Sequence, residues 1–544
     1  MAQEGLNMKK RILVILLFVL SGSFLFSGEA IHSAFDNYYD ALSLQGKTKR
    51  PYLNYRAYST DNWIVKEGQA HPWKGFLKAP KPLLAFDWGA FYLEDSRLFQ
   101  SFNLQTPHGM NDEGLWQGRG YNLALKGGVS FKSPYLDIVL YPEFYFSQNR
   151  EFDIMTASSW SGSEYGYPYS GIDTPQRFGN GPYVYGGWGQ SQIRVKYKNW
   201  NLGFGTQNVW IGPASHSAIL WSNNASGFPH IDIGLDRSQT KIGDFEFHMW
   251  WGWLKSSPFY KRSDANAYKD FITGITLSYA PSFIPGFTLG LHKTSQVALD
   301  NFDAYALIAS LDPGVLRDYG TGSNEPDAAD GRASITWSWL LPSAGFEFYG
   351  EWLMEDFADN LEAFVMTPEH AAAYTLGIKQ RIMLKGASRN FLFLNCEISS
   401  LNWSLDYYIN SIGWGGGFFR HYRTHLGYAN KGQGLGSGVG TGGEFQHIEV
   451  DYYGPFGMAG VYVTRHRLDS SRLYLENNMV KYTGKRTNDL IPLQWAFGSR
   501  FSLFLEKGFF LDMNAALIYD MNRNLERYKN YYGFYVNLSL DYRY

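Results

Sequence analysis

From Tyr532 to Tyr544 the chain changes character at every step. Tyr532, Phe534, Val536, Leu538, Leu540, Tyr542 and Tyr544 hold one set of alternate positions, and Gly533, Tyr535, Asn537, Ser539, Asp541 and Arg543 hold the other. A period of two sends neighbouring side chains to opposite faces of a strand, so this segment has one apolar face and one mostly polar face. Two interior stretches repeat the pattern. Gln190, Gln192, Arg194, Lys196 and Lys198 alternate with Ser191, Ile193, Val195 and Tyr197; Asp244, Glu246 and His248 alternate with Phe245, Phe247, Met249, Trp251 and Trp253. A soluble sandwich alternates too, so the period alone does not decide the class. The apolar faces, however, are largely Phe, Trp and Tyr, and the chain ends on an aromatic residue of such a face, which suits strands with lipid on one side and a lumen on the other.

Beyond the N-terminus no segment offers the roughly 18 consecutive apolar residues of a membrane helix. The expected fold is therefore all-β, an antiparallel transmembrane β-barrel of the outer-membrane type. It would begin near Leu83 and contain on the order of 16–20 strands of about 9–11 residues. Composition agrees: aromatic residues make up 18% and Gly contributes 58 of the 544 residues, while charged residues are only 18%, below the roughly 25% of soluble domains.

The N-terminus supplies a route to a membrane. Lys9, Lys10 and Arg11 precede the apolar run Ile12 to Leu20, Ser21-Gly22-Ser23 interrupts it, and Gly28-Glu29-Ala30 suits a signal peptidase. Residues 1–30 are read as a signal peptide with Met8 as an alternative start, residues 31–82 as a periplasmic N-terminal segment, and 83–544 as the barrel. The single Cys396 excludes an internal disulfide framework. A net charge of −2 argues against a nucleic-acid partner, leaving outer-membrane lipids, lipopolysaccharide and surface polymers as expected partners. The chain is expected to be a monomer, and its residues call for no cofactor.

Loop lengths orient the barrel, because such proteins have short periplasmic turns and longer outer loops. The short turns at Asn199-Trp200, Gly243-Asp244, Gly454 to Phe456 and Glu506 to Gly508 fall inside. Asn149 to Gly189, Trp210 to Pro229, Ser411 to Gly443 and Arg467 to Pro492 fall outside. Glu355 to Ala373 has helical character and fits neither side clearly.

Four stretches carry a resemblance: "NDEGLWQGRG" from Asn111, "WIGPASHSAILWSNNASGFPH" from Trp210, "EDFADNLEAFVMTPEHAAAYTLGIKQ" from Glu355 and "FFRHYRTHLGYANKGQGLG" from Phe418. In type and order they resemble the capsule-assembly Wzi family of outer-membrane lectins. The resemblance implies a barrel of about 18 strands that binds and tethers capsular polysaccharide at the cell surface without catalysis. Known members also carry a periplasmic helical bundle. Here Pro51, Pro72, Pro80 and Pro82 crowd the segment before the first strand, so any bundle is reduced or absent.

Sugar recognition needs flat apolar faces for the rings and polar groups for the hydroxyls. Candidates are Trp116, Arg119, Trp210, His216, Trp221, Asn223, Trp414, Arg420 and Arg423. The outer stretch from Asn149 adds Trp160, Tyr165, Tyr167, Tyr169, Tyr183, Tyr185 and Trp188, which would serve equally as an interfacial girdle. Arg420 and Arg423 suit an acidic polymer. Three alternatives rank lower. His216-Ser217 with Asn223 has the residue types of a hydrolase, but adjacent residues rarely serve as nucleophile and base for each other. His447, Glu449 and Asp451 share a strand face and could meet a metal, although a polar lumen explains them as well. Glu347 and Glu351 could form a glycosidase pair only beside a substrate cleft. Transport of oligosaccharides through the lumen is the main rival function.

Overall fold

The computed structural model describes residues 31–57, 63–66, 69–77, 81–157, 162–168, 171–260, 269–312, 329–355, 365–384, 389–402, 418–421, 424–469 and 491–542. The signal-peptide reading and the candidates Trp160, Tyr169, Trp414 and Arg423 lie outside them.

Eighteen antiparallel strands close into a barrel. They are β1 Gly89–Asn103, β2 Gly120–Lys132, β3 Leu136–Leu140 continuing as Glu143–Ser147, β4 Tyr183–Gly187 continuing as Gln192–Tyr197, β5 Trp200–Gly205 and β6 His230–Gln239. There follow β7 Gly243–Lys255, β8 Lys269–Pro281, β9 Phe287–Ala298, β10 Asp330–Leu341, β11 Phe346–Glu355 and β12 Ala372–Met383. The last six are β13 Phe391–Ser400, β14 Glu444–Gly454, β15 Gly457–Arg467, β16 Leu493–Phe504, β17 Phe509–Met521 and β18 Tyr531–Tyr542. Each pairs with its neighbour in sequence, and β18 closes on β1 in the register Asn537 to Ser101 and Asp541 to Arg97. Closure matters because lipid offers no partner to an open strand edge. At this seam Arg97 adds a two-pronged bond to Asp541 (2.7 and 3.0 Å) inside the lumen.

The alternation expected from the sequence is borne out. Ile193, Val195 and Tyr197 face outward and are exposed, whereas Gln192 and Arg194 are buried inside. Tyr532 and Phe534 are likewise exposed, and Tyr535, Ser539 and Asp541 are buried. No helix among the described residues is long and apolar enough to cross a membrane. The short connections, such as 198–199, 240–242, 342–345 and 455–456, lie at one mouth, and the long ones lie at the other.

The described part of segment 31–82 enters the lumen at the short-turn mouth and holds one helix of ten residues. Helix α1, Ala34–Ser43, starts at the Ser33 side chain, which accepts the Asp36 N–H (3.1 Å). It precedes Pro51, so the prolines do not break it. Phe35, Tyr38 and Trp73 pack with Phe391, Tyr453, Met458 and Phe510 of the wall, and Trp73 Nε1 donates to the Gly454 and Gly457 carbonyls. Asp40 pairs with Arg50 (2.7 Å) and Lys379 (2.8 Å), and Arg50 reaches Glu347 (2.5 Å). Burial opposes ionisation of Asp40, yet these two cations hold its carboxyl well below the usual range.

Candidate functional site

At the long-loop mouth four connections turn inward and interlock. The loop between β5 and β6 goes deepest. Its Val209–Ile211 forms a short antiparallel strand with Tyr55–Ala57 of the N-terminal segment, so chain from both mouths meets inside the barrel. Gly227 lets this loop return beside its own start, since a Cβ there would lie 1.8 Å from the Thr206 carbonyl oxygen.

A strand wall offers no free backbone groups to an inserted loop, so side chains must satisfy the loop's N–H groups. Carboxylates do so repeatedly. Glu397 on β13 accepts from the N–H groups of Ser215 (2.7 Å), His216 (3.1 Å) and Ser217 (2.7 Å). Glu351 on β11 accepts from Ile219 (2.7 Å) and Leu220 (3.0 Å). Glu355 receives the Phe419 N–H (2.6 Å), and Asp270 on β8 receives that of Leu426 (3.0 Å). At the other end Glu246 on β7 holds Leu53 (2.6 Å), Asn54 (2.9 Å) and Tyr55 (2.7 Å). Charged acceptors make stronger bonds than neutral ones, which suits anchors that must hold irregular backbone in a dry lumen.

The loops also bind one another. Asn111 Nδ2 donates to the His216 carbonyl (2.7 Å), the Glu113 N–H to Asn223 (2.7 Å), and the Ser222 N–H to Leu435 (2.9 Å). Between them lies an apolar core that includes Ile172, Ile219, Leu220, Phe228, Phe419, Tyr428 and Leu435, packed on Trp250 and Ile272 of the wall. The lumen is thus occupied by a folded plug. A remaining cavity of about 150 Å³ is lined by Tyr55, Arg194, Asp236, Arg237, Glu246 and His248 among others; at about 30 Å³ per water it holds a handful of waters.

A different surface faces outward at this mouth. Trp116 stacks on Phe178 (4.7 Å, 23°), which touches Tyr183 and Phe259. Arg119 donates to the Glu151 carbonyl (2.6 Å), and the Arg150 N–H donates to the Arg119 carbonyl (2.9 Å). Beside them comes the loop after β17: Asn524 Nδ2 donates to Asp153 (3.2 Å), Lys529 pairs with Asp153 (3.3 Å), and Arg527 lies over the Tyr528 ring (4.7 Å). Arg150, Arg527 and Tyr528 are exposed. The rim therefore carries exposed guanidinium groups, that of Arg527 lying over a flat ring, a pairing that suits acidic sugars.

A family model described as capsule assembly protein Wzi matches residues 111–457, more than half of the 544-residue chain. The chain belongs to the Wzi capsule-assembly family. Among solved structures, the Escherichia coli Wzi is described as an outer-membrane protein involved in group 1 capsule assembly and as a carbohydrate-binding β-barrel. It matches with a TM-score of 0.54 at 13% identity, over 83% of this chain and 85% of that one. Looser likenesses reach OccAB2 of Acinetobacter baumannii (TM-score 0.41, 10% identity, 84% of this chain and 97% of that one). A BenF-like porin of Pseudomonas fluorescens gives a TM-score of 0.40 at 9% identity, over 84% and 98%. No curated protein matches in sequence.

In this Wzi-family barrel the four motifs read from the sequence converge: three are plug loops, and the fourth begins at Glu355, which anchors Phe419. Several candidate sugar contacts need correction. Trp210 is fully buried, donates to the Ala214 carbonyl (3.0 Å) and meets the His32 ring edge-on. Trp221 is buried between Phe228 (5.1 Å) and Trp250 (5.0 Å). Their faces are spent on protein packing, because the loop sinks into the lumen instead of lying over it. Asn223 is buried as well and works through its backbone carbonyl. His216 is partly exposed but points to Glu449 on the wall (3.7 Å). Trp116, Arg119 and Arg420 keep partial exposure.

The lower-ranked alternatives also find their places. Ser217 Oγ bonds Ser399 (2.8 Å) and Ser437 (2.6 Å) rather than a histidine. Glu347 pairs with Arg50, and Glu351 holds loop backbone, so neither is available to a substrate. Arg150, Arg527, Tyr528 and Lys529 were not singled out from the sequence. Only closure of β18 on β1 brings their loops together.

One anchor of the plug titrates in an accessible range. Burial raises the Asp173 carboxyl to about 6, opposed by bonds from the Ser257 N–H and hydroxyl (2.5 and 2.7 Å). Its docked pKa exceeds the value near 3.9 of a free aspartate. The docked loop therefore holds a proton that a released loop surrenders between about pH 4 and 6. Docking is firmest below that window, weakens as pH rises through it and is level above. Hydrogen exchange over residues 171–178, corrected for its intrinsic pH dependence, is expected to show more protection near pH 4 than near pH 7. Asp173→Asn is expected to flatten that difference.

Proposed function

We propose that this barrel binds an acidic polysaccharide at its long-loop rim and tethers it to the cell surface without chemically altering it. The observation that carries this reading is that the loop with exposed Arg150 meets, through Asp153, the loop with exposed Arg527 and Tyr528. Membership of the capsule-assembly family and the carbohydrate-binding description of the E. coli relative support it. Each contact is weak alone. A repeating polymer engages several at once, and segments already held keep the next ones at high local concentration, so avidity replaces a tight single site.

The test is retention of a uronate-bearing polysaccharide on purified barrel, with a neutral polymer of similar length as control. Arg150→Ala, Arg527→Ala and Tyr528→Ala combined are expected to lower affinity by about tenfold or more. Equal retention of both polymers, or full retention by the triple variant, would overturn the reading. Because Trp210 is buried, Trp210→Ala would report on plug stability instead.

A further inference from the structure

Where the plug meets β14, His216 from the loop after β5 comes against His447 and Glu449 of the wall. The imidazole rings lie 4.0 Å apart. His447 Nε2 is 3.1 Å and His216 Nε2 is 3.7 Å from Glu449 carboxylate oxygens, and one ligand atom from each residue falls within 4.8 Å of the other two. Two imidazoles and one carboxylate form a zinc-type ligand set. A tetrahedral ion with bonds of about 2.0–2.1 Å needs its ligand atoms roughly 3.3 Å apart. The group is thus near the required spacing before any ion draws it in.

The surroundings orient these ligands. His447 Nδ1 lies 2.8 Å from Thr464 Oγ1, so a proton on Nδ1 donated to that hydroxyl leaves the Nε2 lone pair facing the site, the outer-shell arrangement common to metal-bound histidines. The backbone at His216 is fixed through its own N–H and that of Ser217, both bonded to Glu397. Asn395 Nδ2 donates to Glu449 Oε1 (3.0 Å). Among the described residues Arg500 is the cation in contact, 2.7 Å from Glu449 Oε2 and 2.6 Å from Asp451. Arg500, paired with Asp451, thus engages the Oε2 side, and an ion would meet Oε1 by taking the place of the neutral Asn395 amide. The His216 side chain keeps 21% exposure, enough for an entry path and for a water or sugar oxygen in the fourth position.

We infer that His216, His447 and Glu449 form a binding site for one divalent transition-metal ion that staples the plug loop to the barrel wall. The site does not depend on the polysaccharide reading. Untagged barrel, stripped with a chelator, is to be titrated with Zn2+ by calorimetry and with Co2+ by visible absorption. One ion per chain is expected, with a rise in thermal stability of the plug. His447→Ala and Glu449→Gln are each expected to weaken binding on the order of 100-fold, with the barrel's heat-modifiable gel shift retained as evidence of folding. His216→Gln, confined to the loop, provides a second variant that leaves the wall untouched. Binding well below one ion per chain, or one ion bound equally by His216→Gln and His447→Ala, would overturn the inference.

Discussion

Replacing Glu397 with leucine is expected to free the loop between β5 and β6 from the barrel wall while leaving the barrel closed. The carboxylate accepts three backbone N–H groups and the Tyr349 hydroxyl (2.7 Å). Leucine is similar in size but accepts nothing, so the three loop N–H groups, together with the Tyr349 hydroxyl, lose their partner at once. At about 1–2 kcal/mol per orphaned donor the docked loop loses roughly 3–6 kcal/mol, a large part of what holds any local unit in place. Glu397→Gln keeps one acceptor oxygen and is expected to cost about half as much. Hydrogen exchange over residues 212–222 should rise sharply in the leucine variant, while exchange in β13 and β14 stays slow. Unchanged exchange in the loop would show that its own packing, not the carboxylate, holds it.

The second large effect concerns passage. Both mouths are filled, from one side by residues 31–57 and from the other by the inward loops, with an apolar core between them. Purified barrel in a planar bilayer is expected to give no steady conductance. Combining Glu246→Leu with Glu397→Leu removes the three-bond anchor of each plug half, six backbone N–H groups in all, and is expected to produce open events of porin size. Steady conductance from the unaltered chain would favour the transport reading and count against a filled lumen.

The barrel itself was legible because a lipid-facing strand must repeat every two residues. Tyr532 to Asp541 declared both its faces without help from any partner. The plug was harder to read. Glu246, Glu351 and Glu397 stand at luminal positions where any polar residue satisfies the alternation, so nothing local distinguishes a backbone anchor from ordinary lumen polarity. The prolines after residue 50 obscured α1, although the helix ends at Ser43. Trp210 and Trp221 looked like sugar platforms because a loop rich in Trp, Asn and Gly reads as a surface loop, and only the tertiary fold shows it descending. The rim brings the loop of Arg150 to that of Arg527 through Asp153, Asn524 and Lys529, and no sequence window contains both.

The three-residue pairing of Val209–Ile211 with Tyr55–Ala57 has a mechanical meaning. Its two strands arrive from opposite mouths of the barrel, so the N-terminal segment is bonded directly to the loop between β5 and β6. Glu246 and Glu397 sit as brakes on either side of that pairing. A displacement of the N-terminal segment would therefore reach the long-loop mouth through this pairing, without a path through the barrel wall.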